Sequence, residues 1–201
     1  MKSIFALVLM FWLTGCASRL PPDYALCEGD VLFQSMPYSP LVEAIEGITS
    51  SPYSHCGIVA KSKAGQWVVI EAIGPVRETP ISNWIDQGRR GWFEAYRLSP
   101  EFEPKIPLIL AAARKYLGRP YDIHYSFDDK RIYCSELIFK AVLTATGKKL
   151  GKVERLGDLN WKPHERFIRS IEGKVPLDRA MITPRSLAEA PELTKVYAKP
   201  R

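Results

Sequence analysis

The sequence predicts one domain that combines β-strands with α-helices. Short runs rich in β-branched and aromatic residues recur between residues 31 and 98, as expected for strands. Two later segments, 107–117 and 134–146, are bounded by helix signals, and the second carries apolar residues at helical spacing. The chain of 201 residues is long enough for one sizeable core and suits one domain better than two.

The strands are predicted in the amino-terminal half of the chain. Gly29 and Asp30 precede the first of them, and Ala64 with Gly65 predicts a hairpin turn between the second and the third. The four predicted strands are 31–34, 56–60, 66–72 and 92–98.

The helices are predicted from their start and stop signals. Ser39 and Pro40 are an N-cap and a first helical residue, and Thr79 with Pro80 begins a shorter helix. Gly118 and Gly147 end the two later helices. The four predicted helices are 40–48, 80–86, 107–117 and 134–146. Residues 151–201 contain scattered prolines without a strong period, which predicts an irregular wrap over the core.

The first fifteen residues are predicted to be a secretion signal. Lys2 precedes an apolar run, residues 4–13, that is too short to span a bilayer. The ending Leu-Thr-Gly-Cys at residues 13–16 resembles a bacterial lipobox, which implies cleavage before Cys16 and lipidation of its thiol. The alternative is an ordinary signal peptide with a cysteine there by chance. Ala17 follows where an aspartate would favour retention in the inner membrane, so the resemblance implies the periplasmic face of the outer membrane.

These observations divide the chain into a lipoprotein signal peptide (1–15), a lipidated tether (16–26) and a single domain (27–201). The formal net charge is +6, but no cluster of lysines or arginines with interleaved aromatics occurs, which argues against a nucleic-acid partner. Through the lipid, the expected partner is a membrane. The sequence leaves the oligomeric state open.

Cysteine and histidine spacing does not indicate a metal site. The three histidines are far apart in sequence, and no Cys-x-x-Cys pair occurs. In an oxidising compartment Cys27 and Cys56 could form a disulfide, and the alternative is that Cys56 is a small buried residue of a strand.

Three residues indicate nucleophilic chemistry. Cys134 begins a helix, where the backbone dipoles favour a thiolate, and His55 begins a β-rich run that could hold it rigidly nearby. Glu71 lies in the apolar strand 66–72, where a carboxylate needs a partner. The pairing of thiol and imidazole suggests a cysteine hydrolase.

Ordered motifs over nearly the whole chain carry a family resemblance. They are GDVLF at 29–33, YSHCGIV at 53–59, IEA at 70–72, YLGRPYD at 116–122, YCSEL at 133–137, PLD at 176–178 and ITP at 182–184. This succession resembles the permuted papain-like amidases of the NlpC type, in the branch of YiiX and YaeF.

The resemblance implies a circularly permuted papain-like α+β fold, with an antiparallel sheet packed against helices and the nucleophile at a helix N-terminus. It implies Cys134 as nucleophile, His55 as general base and then acid, and Glu71 as the group that orients the imidazole. The resemblance also implies that residues 27–201 are a single permuted papain-like hydrolase domain, that its partner is a peptide or small amide substrate, and that no cofactor is needed.

Three further residues near these motifs have simpler explanations. Glu136 is expected to point away from Cys134 and to interact with the helix dipole. Tyr121 is interpreted as a packed aromatic that could also line the pocket, and His124 as a surface or structural residue.

Three functions remain open on the sequence. The first is hydrolysis of an amide in a cell-wall peptide or a small aminoacyl or lipid amide. The second is acyl transfer or thioester chemistry on lipids, and the third is a binding module of the cell envelope without catalysis.

Overall fold

The structure of the protein, a computed structural model, describes residues 24–200. The predictions for the signal peptide, Cys16 and most of the tether lie outside these residues. In the described part of the chain, no helix is long and apolar enough to cross a membrane.

A six-stranded antiparallel sheet forms the centre of the fold, in the order β4-β3-β2-β1-β5-β8. Its strands are β1 (Val31–Gln34), β2 (His55–Lys61), β3 (Trp67–Ala72), β4 (Val76–Pro80), β5 (Phe93–Leu98) and β8 (Leu193–Ala198). A separate two-stranded ribbon pairs β6 (Glu154–Arg155) with β7 (Ala180–Met181). The expected antiparallel sheet and the expected hairpin between β2 and β3 are confirmed.

The α-helices are α1 (Pro40–Thr49), α2 (Ile81–Gln87), α3 (Ile106–Arg114), α4 (Cys134–Thr146), α5 (Glu165–Glu172) and α6 (Pro184–Ala188). The Ser39 hydroxyl caps α1 by accepting a hydrogen bond from the Val42 N–H, as its sequence predicts. Gly147 ends α4 with a φ of 73°, a conformation that glycine adopts without strain.

Helices α3 and α4 pack on one face of the sheet. The alternate residues Cys56, Ile58 and Ala60 of β2 point into this layer, where they join a core with Leu137 and Ile138 of α4. The other face of the sheet, which includes Val59, is covered by a smaller core around Trp84 of α2. The buried N-terminus of α4 therefore lies against the sheet at the strand that carries His55.

The carboxyl-terminal part of the chain corrects one prediction. Residues 151–200 are not an irregular wrap, because they form the ribbon, two short helices and strand β8. Strand β8 extends the central sheet beyond β5, with a register irregularity between Ala95 and Tyr96. The strand has no clean alternation of buried and exposed residues, since only Leu193 and Tyr197 are buried, and the sequence therefore lacked a period-two signal.

Two other elements differ from the prediction. Strand β4 was not predicted, because its residues Arg77, Glu78 and Thr79 are polar and it ends in Pro80 at the edge of the sheet, where proline is tolerated. Helix α3 ends at Arg114 and not at residue 117. The residues that follow form turns, and the Gly118 N–H donates a hydrogen bond to the Val76 carbonyl of β4.

Candidate active site

The N-terminus of α4 holds the Cys134 thiol. Tyr133 is the extended N-cap residue, and the carboxylate of Glu136 accepts a hydrogen bond from the Tyr133 N–H at 3.3 Å. This contact fixes the first turn of the helix, so that Cys134 is its first residue. The Cys134 side chain is almost completely buried, at 3% exposure. The helix has both of the bounds that the sequence predicts, Cys134 and Thr146.

His55 and Glu71 are joined by a short hydrogen bond on neighbouring strands. In the antiparallel register of β2 and β3, Gly57 is the partner of Glu71, and His55 Nε2 lies 2.6 Å from Glu71 Oε2. Both side chains are buried. Because the His55 Nε2 is hydrogen-bonded to the Glu71 carboxylate, Nδ1 is the ring nitrogen that is available to the Cys134 thiol.

The Glu71 carboxylate has three more donors, none of which the sequence indicated. The Gln87 side-chain amide donates to Oε2 at 2.8 Å, while the Thr79 hydroxyl and the half-exposed Arg77 side chain donate to Oε1. Arg77 and Thr79 lie on β4. The sequence did not indicate their contact with Glu71 because it did not predict this strand. Burial alone would raise the Glu71 pKa, but the hydrogen bonds from His55 and these neighbours keep it below the ordinary value.

Cys134 and His55 interact directly, and each changes the acidity of the other. Burial disfavours the charged imidazole, but hydrogen bonds with Cys134 and Glu71 outweigh it and raise the His55 pKa to about 9. Hydrogen bonds from Cys56 and His55 hold the Cys134 pKa well below its ordinary value, against the effect of burial. The arrangement therefore favours a thiolate and imidazolium pair near neutral pH.

Cys56 affects the acidity of Cys134, a role that the sequence did not indicate. Its side chain and its backbone both lower the pKa of the Cys134 thiol, and Cys56 points to the helix side of β2. Burial raises the pKa of the Cys56 thiol, so this residue remains a protonated donor. Cys27 and Cys56 are both free thiols, so they do not form a disulfide. Cys56 is instead a small buried residue of its strand, as the alternative predicted.

The other residues considered in the sequence have defined contacts. Glu136 is completely buried, forms an ion pair with Lys140 at 2.7 Å, and has its pKa raised by burial to about 7. The expected interaction with the helix dipole is therefore not its only role, because Glu136 also bonds to Lys140 and to the Tyr133 N–H. The Tyr121 hydroxyl lies 3.4 Å from that of Tyr125, and His124 Nδ1 lies 3.1 Å from a Glu172 carboxylate oxygen, a partner that the sequence did not indicate.

An apolar cleft begins at the thiol. The empty space between its lining residues is about 760 Å³, part of which is open solvent. Cys134 and Ser135 line one part of it, and helices α1 and α5 form two of its walls. We refer to the space lined by these residues and helices as the apolar cleft.

The residues of the described chain do not form a metal site. No group of three or more histidine, cysteine, aspartate or glutamate side chains between residues 24 and 200 could hold a metal ion.

Comparison with known proteins gives the class of the molecule. Residues 25–197 match the family described as permuted papain-like amidase enzyme, YaeF/YiiX, C92 family. The protein YiiX of Escherichia coli (strain K12) is 34% identical over 175 residues, which cover 84% of each chain. A crystal structure described as metalloprotein yiiX from Escherichia coli O157:H7 superimposes with a TM-score of 0.78 at 32% identity, covering 86% of this chain and 97% of that chain.

The fold, the family match and the geometry of the site together define a papain-like hydrolase with a permuted chain order. The chain belongs to the permuted papain-like amidase family of YaeF and YiiX. The resemblance inferred from the sequence motifs is thereby confirmed for the family, the fold class and the enzyme class.

Proposed function

We propose that the protein is a lipid-anchored cysteine amidase of the cell envelope that uses Cys134, His55 and Glu71 as a catalytic triad. The observation that carries the proposal is the arrangement of His55, which is bonded through Nε2 to Glu71 at 2.6 Å and interacts with the Cys134 thiol. A nucleophile, a base and an orienting group in this order are what covalent amide hydrolysis requires.

The first half of the reaction forms a thioester. The Cys134 thiolate attacks the carbonyl carbon of the amide, and the new C–S bond pushes the carbonyl electrons onto oxygen. The Cys134 backbone N–H, which has no acceptor within the helix at this first position, stabilises the oxyanion. The C–N bond then breaks as the His55 imidazolium transfers its proton to the leaving amine.

The second half of the reaction regenerates the enzyme. Neutral His55 removes a proton from water, the hydroxide oxygen attacks the thioester carbonyl, and the C–S bond breaks to release a carboxylic acid and the thiolate. Glu71 keeps its negative charge throughout and stabilises the imidazolium, since hydrogen bonds from His55, Thr79 and Gln87 keep its pKa low.

The activity can be tested with the processed protein and with Cys134→Ala. Peptidoglycan peptides, acyl amides and lipid esters are supplied separately, and release of new amino groups is measured. We expect amine release from at least one amide, absent in Cys134→Ala. Turnover of esters or thioesters without any amide would instead support the acyl-transfer function. Saturable binding without product, unchanged in Cys134→Ala, would support a binding module.

The nucleophile is tested by alkylation of the same two proteins. Iodoacetamide is expected to label Cys134 near neutral pH, because its neighbours favour the thiolate. Cys27 is a built-in reference, as a partly exposed thiol in the same chain. Labelling of Cys27 while Cys134 stays inert would contradict the assignment of the nucleophile.

A further inference from the structure

The lining of the apolar cleft sets it apart from a peptide-binding groove. Leu41, Ile45 and Ile48 recur at helical spacing along α1, and Phe167 and Ile171 face the cleft from α5. These side chains are only partly buried in the protein itself. An apolar ligand that entered the cleft would therefore remove a continuous apolar surface from water.

The polar side chains of the lining already have partners within the protein. The Glu172 carboxylate receives two hydrogen bonds from the Arg179 guanidinium at 2.6 and 2.9 Å, so these opposite charges are paired. Ser135 donates to the Ile182 carbonyl, Thr49 to the Ile45 carbonyl, Ser54 to Glu46 and Thr183 to Glu154. Among the described residues, the lining thus presents no unpaired charge to a ligand.

This lining discriminates between two kinds of amide. A peptide brings an N–H and a C=O with each residue, and each of these groups loses its hydrogen bonds to water unless the site replaces them. A hydrocarbon chain has no such groups and gains from burial along its whole length. The apolar cleft therefore fits a hydrocarbon chain better than a peptide backbone.

The position of the thiol tells which half of the amide occupies the cleft. His55 must reach the leaving amine to protonate it, and His55 does not line the cleft, whereas Cys134 and Ser135 do. The acyl half, which remains on the Cys134 sulfur as a thioester, is the half that can extend from the sulfur into the cleft.

We infer that the substrate is an N-acyl amine whose apolar acyl chain occupies the cleft between α1 and α5. This inference rests on the proposed function and names its substrate class. In the reaction the acyl carbon exchanges its C–N bond for the C–S bond of the thioester, the proton of His55 leaves with the amine, and water releases the fatty acid.

The inference is tested with para-nitroanilides of acetate, butyrate, hexanoate, octanoate and decanoate. The full chain is used, in one nonionic detergent throughout. We expect kcat/KM to rise about twofold to fourfold with each added methylene until the chain fills the cleft. Ile45→Gln and Ile171→Gln should flatten this dependence, because each places an amide in the cleft wall.

A matched variant controls for the detergent and for the substitution itself. Leu108 of α3 is 52% exposed and does not line the cleft, so Leu108→Gln should keep the chain-length dependence of the wild type. Ile45→Leu keeps the wall of the cleft apolar, so this variant should also keep the chain-length dependence. It controls for the effect of any substitution at position 45. A wild-type rate independent of chain length, or equal slopes in Ile45→Gln and Leu108→Gln, would overturn the inference.

A second measurement separates this inference from the proposed function. Decanoate, the expected product, should slow the labelling of Cys134 by iodoacetamide in the wild type, acetate should not, and the protection should be lost in Ile45→Gln. Amide turnover without chain-length dependence or protection contradicts the cleft assignment alone. Protection by decanoate without turnover of any amide supports the cleft and contradicts the amidase function.

Discussion

The carboxylate of Glu71 has the most hydrogen bonds of any group in the candidate site. It is bonded to His55, Thr79, Gln87 and Arg77, which hold it in one orientation against the imidazole. These contacts suit a group that positions its neighbour and does not itself exchange a proton.

Substitutions at the two positions should therefore differ in size. We expect His55→Ala to lower kcat about 10³-fold to 10⁴-fold, since general acid–base catalysis is lost. Glu71→Gln should retain measurable activity, with a loss of about 10-fold to 10²-fold, because the amide still bonds to the ring but no longer favours the imidazolium. Steady-state rates on the best amide substrate measure both. Negligible effects of both substitutions would remove these residues from the site.

The pH dependence follows from the two shifted pKa values. The reactive state needs Cys134 deprotonated, which its lowered pKa favours, and His55 protonated, which persists up to its pKa of about 9. We expect kcat/KM to be level across neutral pH and to fall as the pH rises through about 9. A rate that instead increases through the ordinary titration range of a free thiol would contradict the thiolate and imidazolium pair.

Cys56 provides a more specific test of the same pair. The Cys56 side chain lowers the pKa of the Cys134 thiol, so Cys56→Ala should raise that pKa and move the acidic limb of the labelling profile to higher pH. Cys56→Ser keeps a donor at this position and should shift the limb less. Cys27→Ala removes a thiol outside the site and should leave the profile unchanged. Identical profiles for all three variants would contradict the role of the Cys56 thiol.

At the level of elements, the sequence predicted the part of the fold that carries the site. Strand β1 and helix α4 have their predicted bounds, because Gly29, Asp30 and Gly147 are strong local signals. Cys134, His55 and Glu71 could be proposed because their motifs occur in a family order. Their mutual contact depends on the antiparallel register of β2 and β3.

The remaining features of the site depend on tertiary contacts that no short segment encodes. Thr79 and Gln87 reach Glu71 only because β4 pairs with β3 and α2 folds back beside it. The apolar cleft was missed because α1 and α5 are separated by more than a hundred residues in sequence. Residues 165–172 have a strongly two-sided apolar pattern, which was the available signal for α5.

The register of β2 and β3 can be tested at Gly57. A methyl group at this position would lie 2.3 Å from a Val69 methyl carbon and 3.1 Å from the Ile70 carbonyl oxygen, beside the Glu71 side chain. We expect Gly57→Ala to lower the free energy of unfolding by about 1–3 kcal/mol and to lower activity, since the strands that hold His55 and Glu71 must shift. Denaturant unfolding and amide turnover measure the two effects.

Gly74 offers a matched control for this substitution. Nothing lies within 4 Å of a methyl group added at Gly74, and its φ is not in the left-handed region, so Gly74→Ala should leave stability and activity close to those of the wild type. Equal stability of the Gly57→Ala and Gly74→Ala variants would contradict the close packing of β2 against β3.

At the level of the whole molecule, an apolar core covers each face of the sheet, and the apolar cleft begins at the Cys134 thiol. A site that accepts acyl chains gains from being held at a membrane surface, where such substrates are concentrated. The proposed lipid anchor and the proposed substrate class are therefore consistent with each other, although each depends on a different part of the chain.

The anchor is tested by Cys16→Ser in a bacterial host that processes lipoproteins. The proposal assigns the lipidated thiol to Cys16, after the sequence Leu-Thr-Gly at residues 13–15. We expect the wild type to incorporate labelled palmitate and to fractionate with the outer membrane, because several acyl chains give stable anchoring. Cys16→Ser should lose the label and accumulate as an unprocessed precursor or in the soluble fraction. Cys27→Ser removes another thiol from the same chain and should keep both label and location. Palmitate incorporation that survives Cys16→Ser would refute the lipobox assignment, whereas the fold and the site of residues 24–200 would stand independently of it.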